Sequence, residues 1–483
     1  MISILDQPLA SVEPSSEEEK LLSDIQGNIL KFHNRRFAVH LFLNFRDVTR
    51  AKGLVREFSS KTPKALPFGI TDGLTQIRDG ELFRKSDGKE SRRLVSLSLS
   101  YAGYVALDIS LEAIPDDPAF RTGMLKRGPN WLGDASHSNW DDHFKQPLDS
   151  DTRPLQQGVI HAMVLIADND RSVVEGYRSE FINSIGSAVE VLGEEWAEQI
   201  YDRTYSTDAR PIEHFGYVDN ISGPIFFAQD KRASSKNWNP LAPLSLALKQ
   251  CLSGANVGYG SYLVFRKLEQ NVRAFAMFER QLALDLCITQ TNQQLNVGAL
   301  LIGRKKDGSP LVGSGAGNDF NFDSDGSGTK CPFTAHIRKV NPRGSSDPVQ
   351  PDQKLRLSSE LKHMIARRGI TYGERRDHLN PDLPPAERPD SGVGLLFMCY
   401  QSSIIDQFEH MQRNWANNEF FPILPSRGRV GKDALIGQGG SIKARFASSC
   451  EGNDIKSLEI PLCIGLKGGE FLFTPSISFL RNL

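Results

Sequence analysis

Six short apolar runs constrain this chain most. They are Phe37–Phe45 (FAVHLFLNF), Leu94–Tyr101 (LVSLSLSY), Val159–Ile166 (VIHAMVLI), Ser261–Lys267 (SYLVFRK), Gly394–Gln401 (GLLFMCYQ) and Glu470–Thr474 (EFLFT). Runs of that length, rich in aromatic and β-branched residues, predict strands. Leu94–Tyr101 alternates strictly, which predicts a half-buried strand. Helical patterns fall between the runs, over Ser172–Ile185, from about Gln270 to Leu284, and near Ile405–Trp415. Strands in hairpin-like pairs, interleaved with helices, give an α+β class with helices on one face of mostly antiparallel sheets. No internal repeat shows at the sequence level.

With 483 residues the chain is long enough for two or three modules and a large buried core. The formal net charge of −1 offers no basic field for nucleic acid and no polybasic stretch for a membrane surface. No apolar run reaches the roughly 18 residues that would span a bilayer. The first 20 residues read as a mobile tail. They carry Glu13, Glu17, Glu18 and Glu19 where a secretory signal would carry basic and apolar residues, so a cytoplasmic protein is expected, with a secreted mature form left open. The six cysteines are widely spaced and form no CxxC pair, which predicts buried free thiols in a reducing compartment.

Two motif-like stretches lose to their plain readings. Gly313–Gly317 (GSGAG) has the glycine spacing of a phosphate loop but neither follows a strand nor opens a helix. Asn321–Gly326 (NFDSDG) begins like a calcium loop, yet the twelfth position is Pro332 where a bidentate Glu is required. His214 and Cys331 stand alone and are expected to be packing residues. The stretch from Gly303 to about Lys354, rich in Gly, Ser, Asp and Pro, is too long for a plain connection and is expected to be functional.

Three segments carry candidate chemistry. Cys331–Arg343 (CPFTAHIRKVNPR) places His336 among Arg338, Lys339 and Arg343. A histidine among cations suits a haem ligand, because haem brings two carboxylates that need partners, and one axial His leaves the sixth iron position open. His214–Pro224 (HFGYVDNISGP) offers Asp219 after a glycine turn. An aspartate there is ordinarily a turn former, but a carboxylate above a haem iron can take a proton and return it. Met364–Gly373 (MIARRGITYG) offers Arg367, whose guanidinium could stabilise charge that develops as an O–O bond breaks.

Together these segments resemble the dye-decolourising peroxidase family. CPFTAHIRKVNPR looks like that family's haem-ligand segment, GYVDN like its distal GxxDG motif, and IARRGITYG like its distal-arginine segment. Further matches, from Asp24–Leu30 (DIQGNIL) through Asp117–Phe120 and Gly394–Phe397 to Gly468–Phe471 and Pro475–Phe479, extend the likeness over about residues 24 to 483. The resemblance implies two ferredoxin-like modules with antiparallel sheets, of the dimeric α/β barrel type, enclosing one haem b. The first would cover residues 21–225 and the second 226–483. It implies a peroxidase that uses hydrogen peroxide to oxidise dyes, phenols and other bulky aromatic reductants by single-electron steps. His336 would be the iron ligand, Asp219 the distal acid–base group and Arg367 the distal charge stabiliser. Arg343 would contact a haem propionate, and Leu395 and Phe397 would line the distal pocket. The family also places an acid behind the proximal histidine, and Asp406 is the candidate for it.

One departure is plain: Asn220 stands where the motif ends in glycine. Asn tolerates the left-handed backbone region better than most residues, so the turn is expected to survive. The departure keeps a second reading open, a haem-binding protein for storage, sensing or delivery with little peroxidase turnover. A non-haem partner-binding protein on the same scaffold is a third. Trp131, Trp140, Trp196, Trp238 and Trp415, with ten tyrosines, are open candidates for electron transfer at the surface. The sequence fixes neither the oligomeric state, monomer or homo-oligomer, nor the physiological reductant.

Overall fold

The computed structural model describes the chain except for residues 1–3, 10–14, 61–62, 65, 67, 87–91, 147–157, 203–209, 231–240, 254–255, 289–296, 314–317, 348–349, 351, 376–382, 424–427 and 451–453. Eight strands form its frame: β1 (Phe37–Phe45), β2 (Leu94–Ser100), β3 (Ala162–Asp168), β4 (Val189–Glu198), β5 (Asn256–Gln270), β6 (Ile370–Tyr372), β7 (Gly394–Gln401) and β8 (Ile464–Thr474). They lie in one sheet in the order β6-β7-β5-β8-β2-β3-β1-β4, every neighbour antiparallel.

That order contains one pattern twice. Within β1–β4 the fourth strand lies beside the first, then come the third and the second. The set β5–β8 repeats this. Helices complete each set: α1 (Val48–Phe58) follows β1, α2 (Arg171–Ile185) follows β3, and α3 (Val272–Asp285) follows β5. A helical stretch with π-type turns, Ile404–Glu409 and Met411–Ala416, follows β7. Both sets are therefore βαββαβ units of ferredoxin type. Side-chain caps start the helices. Asp47 accepts from the Arg50 amide at 2.9 Å, Asp170 from Ser172 at 2.8 Å and Asn271 from Ala274 at 2.8 Å.

The sets meet where Leu472 and Phe473 of β8 pair with Ser100 and Leu99 of β2. The outer edges also touch, through the Ile200 amide on the Thr371 hydroxyl at 3.4 Å and that hydroxyl on the Glu198 carbonyl. The sheet thus curls toward closure, which removes exposed edges. It also corrects the half-buried reading of Leu94–Tyr101. The strand ends at Ser100 and every residue of it is buried, because both faces are covered. Its serines are tolerated inside because they find partners, as Ser98 does with the Thr474 hydroxyl at 2.6 Å.

Two further expectations fail. The tail is not uniformly mobile. Leu9 is buried and bonds through its backbone to Phe226 at 2.8 Å and Ala228 at 3.0 Å, and Ser16–Asp24 is a helix with a complete capping box. Nor are all six cysteines free. Cys287 and Cys450, 163 residues apart, form a disulfide, so the reducing-compartment argument does not hold for that pair. It ties the end of α3 to the hairpin Ile442–Ala447/Ile455–Ile460. Cys251, Cys331, Cys399 and Cys463 are buried free thiols. Among the described residues no helix is long and apolar enough to cross a membrane.

Candidate active site

A cavity of about 240 Å³ opens beside the second strand set. One water needs roughly 10–15 Å³ by the same kind of measure, so this space suits a much larger group. Strand alternation supplies one wall: Arg266, Leu268 and Gln270 on one face of β5, and Leu395 and Phe397 beside them on β7. The remaining walls come from long connections, one of which is the segment 286–369 between α3 and β6.

His336 opens a short helix, α4 (His336–Val340), and reaches the cavity. Its Nδ1 lies 2.9 Å from the Asp433 carboxylate, which leaves Nε2 as the ring nitrogen able to bind a ligand. Asp433 is completely buried and accepts two more hydrogen bonds, from the Leu435 amide at 2.8 Å and the Ile436 amide at 2.9 Å. A carboxylate held this rigidly fixes the imidazole's tautomer and orientation. The expectation for Asp406 is therefore corrected. Its carboxylate accepts from the Ser403 hydroxyl at 3.0 Å on an exposed turn, away from His336. Asp433 lies in the connection between β7 and β8, 97 residues from the histidine, where spacing carries no signal.

The preceding loop is built around Asp325. This buried carboxylate accepts from the amides of Thr329, Lys330 and Cys331 and pairs with Arg338 at 2.9 Å. It is a structural clasp for the turn that leads into α4, which explains the calcium-like pattern without a cation. Burial pushes the Cys331 thiol up to about 12, so it is inert. His214 is also a packing residue, with Nε2 2.8 Å from the Tyr372 carbonyl. Ser314–Gly317 of the glycine run lie outside the described residues.

Asp219 and Arg367 meet in the same cavity. Arg367 Nη1 donates to Asp219 Oδ1 at 2.8 Å, and Nη2 donates to the Ser222 carbonyl at 3.1 Å. The backbone amide of Asn220 donates to the same carboxylate oxygen at 2.7 Å. Asn220 has φ +58°, so the turn does adopt the left-handed form that glycine would favour. The paired arginines part company. Arg367 faces the cavity, while Arg368 is buried and donates to the Asn28 and Ile29 carbonyls at 2.6 Å each, pinning the segment Asp24–Leu30.

Arg343 also lines the cavity, and the structure adds Arg304, which the sequence reading missed. Arg343 donates to the carbonyls of Asn318 and Phe320 at 2.6 and 2.8 Å and to the Ser222 hydroxyl at 3.0 Å. Arg304 donates to the Gly308 carbonyl at 3.0 Å and the Asn318 amide oxygen at 2.7 Å. These acceptors are all neutral. Burial therefore pushes Arg343 down to about 9, with Arg304 adding to it, and Arg304 down to about 10, with Arg367 adding to it. Buried cations resting on neutral acceptors favour an anionic occupant. No sequence spacing marks Arg304. Leu395 and Phe397 lie in the cavity wall. Among the tryptophans, Trp140 and Trp415 are buried, Trp196 is half-buried, Trp131 is 47% exposed and Trp238 lies outside the described residues.

The DyP dimeric alpha+beta barrel domain matches residues 24–198. The multifunctional dye peroxidase DyP2 of Amycolatopsis sp. is 36% identical over 99% of each chain. The chain belongs to the dye-decolourising peroxidase family. The solved structure of DyP2 superposes with a TM-score of 0.87 at 35% identity, covering 99% of this chain and 100% of that one. A DyP-type peroxidase from Anabaena sp. gives 0.83 at 34% identity, covering 99% and 97%. A dye-decolorizing peroxidase in complex with 2,6-dimethoxyphenol gives 0.73 at 25% identity, covering 95% and 98%. Peroxidases of this family are haem enzymes. The cavity fits such a group in chemistry, with an imidazole nitrogen backed by a buried carboxylate and guanidiniums placed for carboxylates.

Proposed function

We propose that this dye-decolourising peroxidase binds one haem b in the described cavity and uses hydrogen peroxide to oxidise dyes, phenols and related aromatic reductants in single-electron steps. The observation that carries the reading is the convergence of His336, the Asp219–Arg367 pair and the Arg304–Arg343 cluster on one cavity. The relative bound to 2,6-dimethoxyphenol supports an aromatic reductant.

His336 Nε2 would hold the iron, with Asp433 keeping the imidazole oriented. Arg343 and Arg304 would receive the propionates, and Leu268, Leu395 and Phe397 would pack against the macrocycle. Haem supplies the iron that takes up peroxide and stores the oxidising equivalents. The chain's own part is positioning and proton handling. Asp219 takes a proton from entering peroxide at its carboxylate and returns it to the departing oxygen. Arg367, held by Asp219 and the Ser222 carbonyl, offsets negative charge that develops on that oxygen. Asn220 keeps the turn in its left-handed form with Asp219 on Arg367, so the departure from the motif gives no reason to prefer a haem carrier without turnover.

Stopped-flow mixing of haem-loaded Asp219→Asn and Arg367→Leu with peroxide tests the roles. Each variant should retain haem and react slower by at least about a hundredfold, the scale of a lost acid–base group or charge stabiliser. A native rate for Arg367→Leu would remove that residue from the mechanism.

A further inference from the structure

Glu213 has no part in the chemistry above, yet it lines the cavity six residues before Asp219. Its carboxylate gathers three N–H donors. Oε2 accepts from the Phe215 amide at 2.8 Å and from Gln270 Nε2 at 2.5 Å, and Oε1 accepts from the Tyr217 amide at 2.9 Å. The backbone closes the same loop, with the Glu213 amide on the Tyr217 carbonyl at 3.0 Å and the Gly216 amide on the Glu213 carbonyl at 2.9 Å. Gly216 sits at φ +92°, which a side chain would resist. Beyond the loop, the Asp219 amide returns to the Pro211 carbonyl at 3.0 Å. The Glu213 side chain therefore holds the Phe215 and Tyr217 amides of the turn that leads to Asp219, and Gln270 ties that side chain to β5.

A surface turn does not need an acid drawn into a cavity wall. Burial pushes the Glu213 carboxyl up to about 7, with Asp219 contributing a smaller push in the same direction. A neutral apolar residue would avoid that cost but could not receive three donors.

We propose that Glu213 is a positioning residue for peroxide activation: it buckles the turn that carries Asp219 and so sets where that carboxylate meets Arg367. The inference rests on the reading of Asp219 as the proton carrier. An amide at position 213 turns its own NH2 toward donors it cannot receive, so the turn loosens and the Asp219–Arg367 pair loses its register.

The test compares haem-loaded native protein with Glu213→Gln, Gln270→Met and, as reference, Asp219→Asn. Two quantities are read: the second-order rate with hydrogen peroxide and the affinity of the ferric protein for fluoride. Glu213→Gln should keep its haem and react at least about tenfold slower, as a misplaced group does. Its fluoride affinity should also fall. Gln270→Met, which removes one donor and leaves the acid, should shift both less and in the same direction; it decides the matter if Glu213→Gln does not fold. A purely structural Glu213 would lower the melting temperature and leave the peroxide rate and fluoride affinity of the folded, haem-loaded protein in place. Native rate and fluoride affinity in both variants, beside a slow Asp219→Asn, would overturn the proposal alone. A native rate in Asp219→Asn would show that the underlying reading of Asp219 has failed, and the proposal with it.

Discussion

In the first strand set, β1 to β4, the connections are spent on covering the sheet; in the second, β5 to β8, they build a site. β1, β2 and β3 are buried along almost their whole length, and the core around them is a single apolar cluster. Phe42 shows its character, fully buried with its ring 5.0 Å from Phe144 and 5.1 Å from Phe265. In the second set the same topology has long insertions. Residues 286–369 bring Arg304, His336, Arg343 and Arg367, and the connection between β7 and β8 brings Asp433. The sheet gives one wall, and the insertions supply most of the polar groups. One topology can therefore be a dry scaffold or an active site, depending on what its connections carry.

That contrast can be broken by substitution. The largest effect should come from His336→Ala, which removes the ligand. Haem should no longer co-purify, and the Soret absorbance of protein expressed with adequate iron should be lost. Next comes Phe42→Ala in the first set. Truncating a buried phenylalanine costs roughly 3–5 kcal/mol, read as a lower denaturation midpoint, while the peroxide rate of the folded fraction should stay native. A large rate loss would mean that the first set is no passive scaffold. The smallest effect should come from Asp433→Asn. It keeps the shape behind His336 but weakens the hydrogen bond that orients the imidazole, so haem affinity should drop by about 10–100-fold and the ferric spectrum should shift. An unchanged affinity would separate the His336–Asp433 contact from function.

The legibility of the sequence follows the same division. β1 and β7 were readable to the residue, because long apolar runs bounded by polar ones leave little choice. β4 (VEVLGEEWAE) was missed, since four glutamates break its pattern; among the described residues it pairs with β1 alone and keeps much of itself half-exposed. The helix near Ile405–Trp415 was placed correctly, but nothing in its pattern announced the π-type turns. In the site, the residues of compact motifs, Asp219, His336 and Arg367, could be found, and the cavity brings them together. Asp433 and Arg304 could not, because their roles depend on which distant segment folds against them. The short matched segments outside the site prove to be fasteners. Asp117 accepts from the Ile404 amide at 2.8 Å, and Glu470 from the Met124 amide at 3.3 Å. The Cys287–Cys450 disulfide belongs with the illegible features, since a pair so far apart has no spacing to read.

The most direct test of the central claim is a stopped-flow absorbance trace of the haem-loaded protein mixed with one equivalent of hydrogen peroxide. The account predicts a rapid fall of the ferric Soret band, followed by recovery when a phenol or dye is added. A Soret band that stays ferric on mixing would contradict it and leave a haem-binding protein without peroxidase turnover.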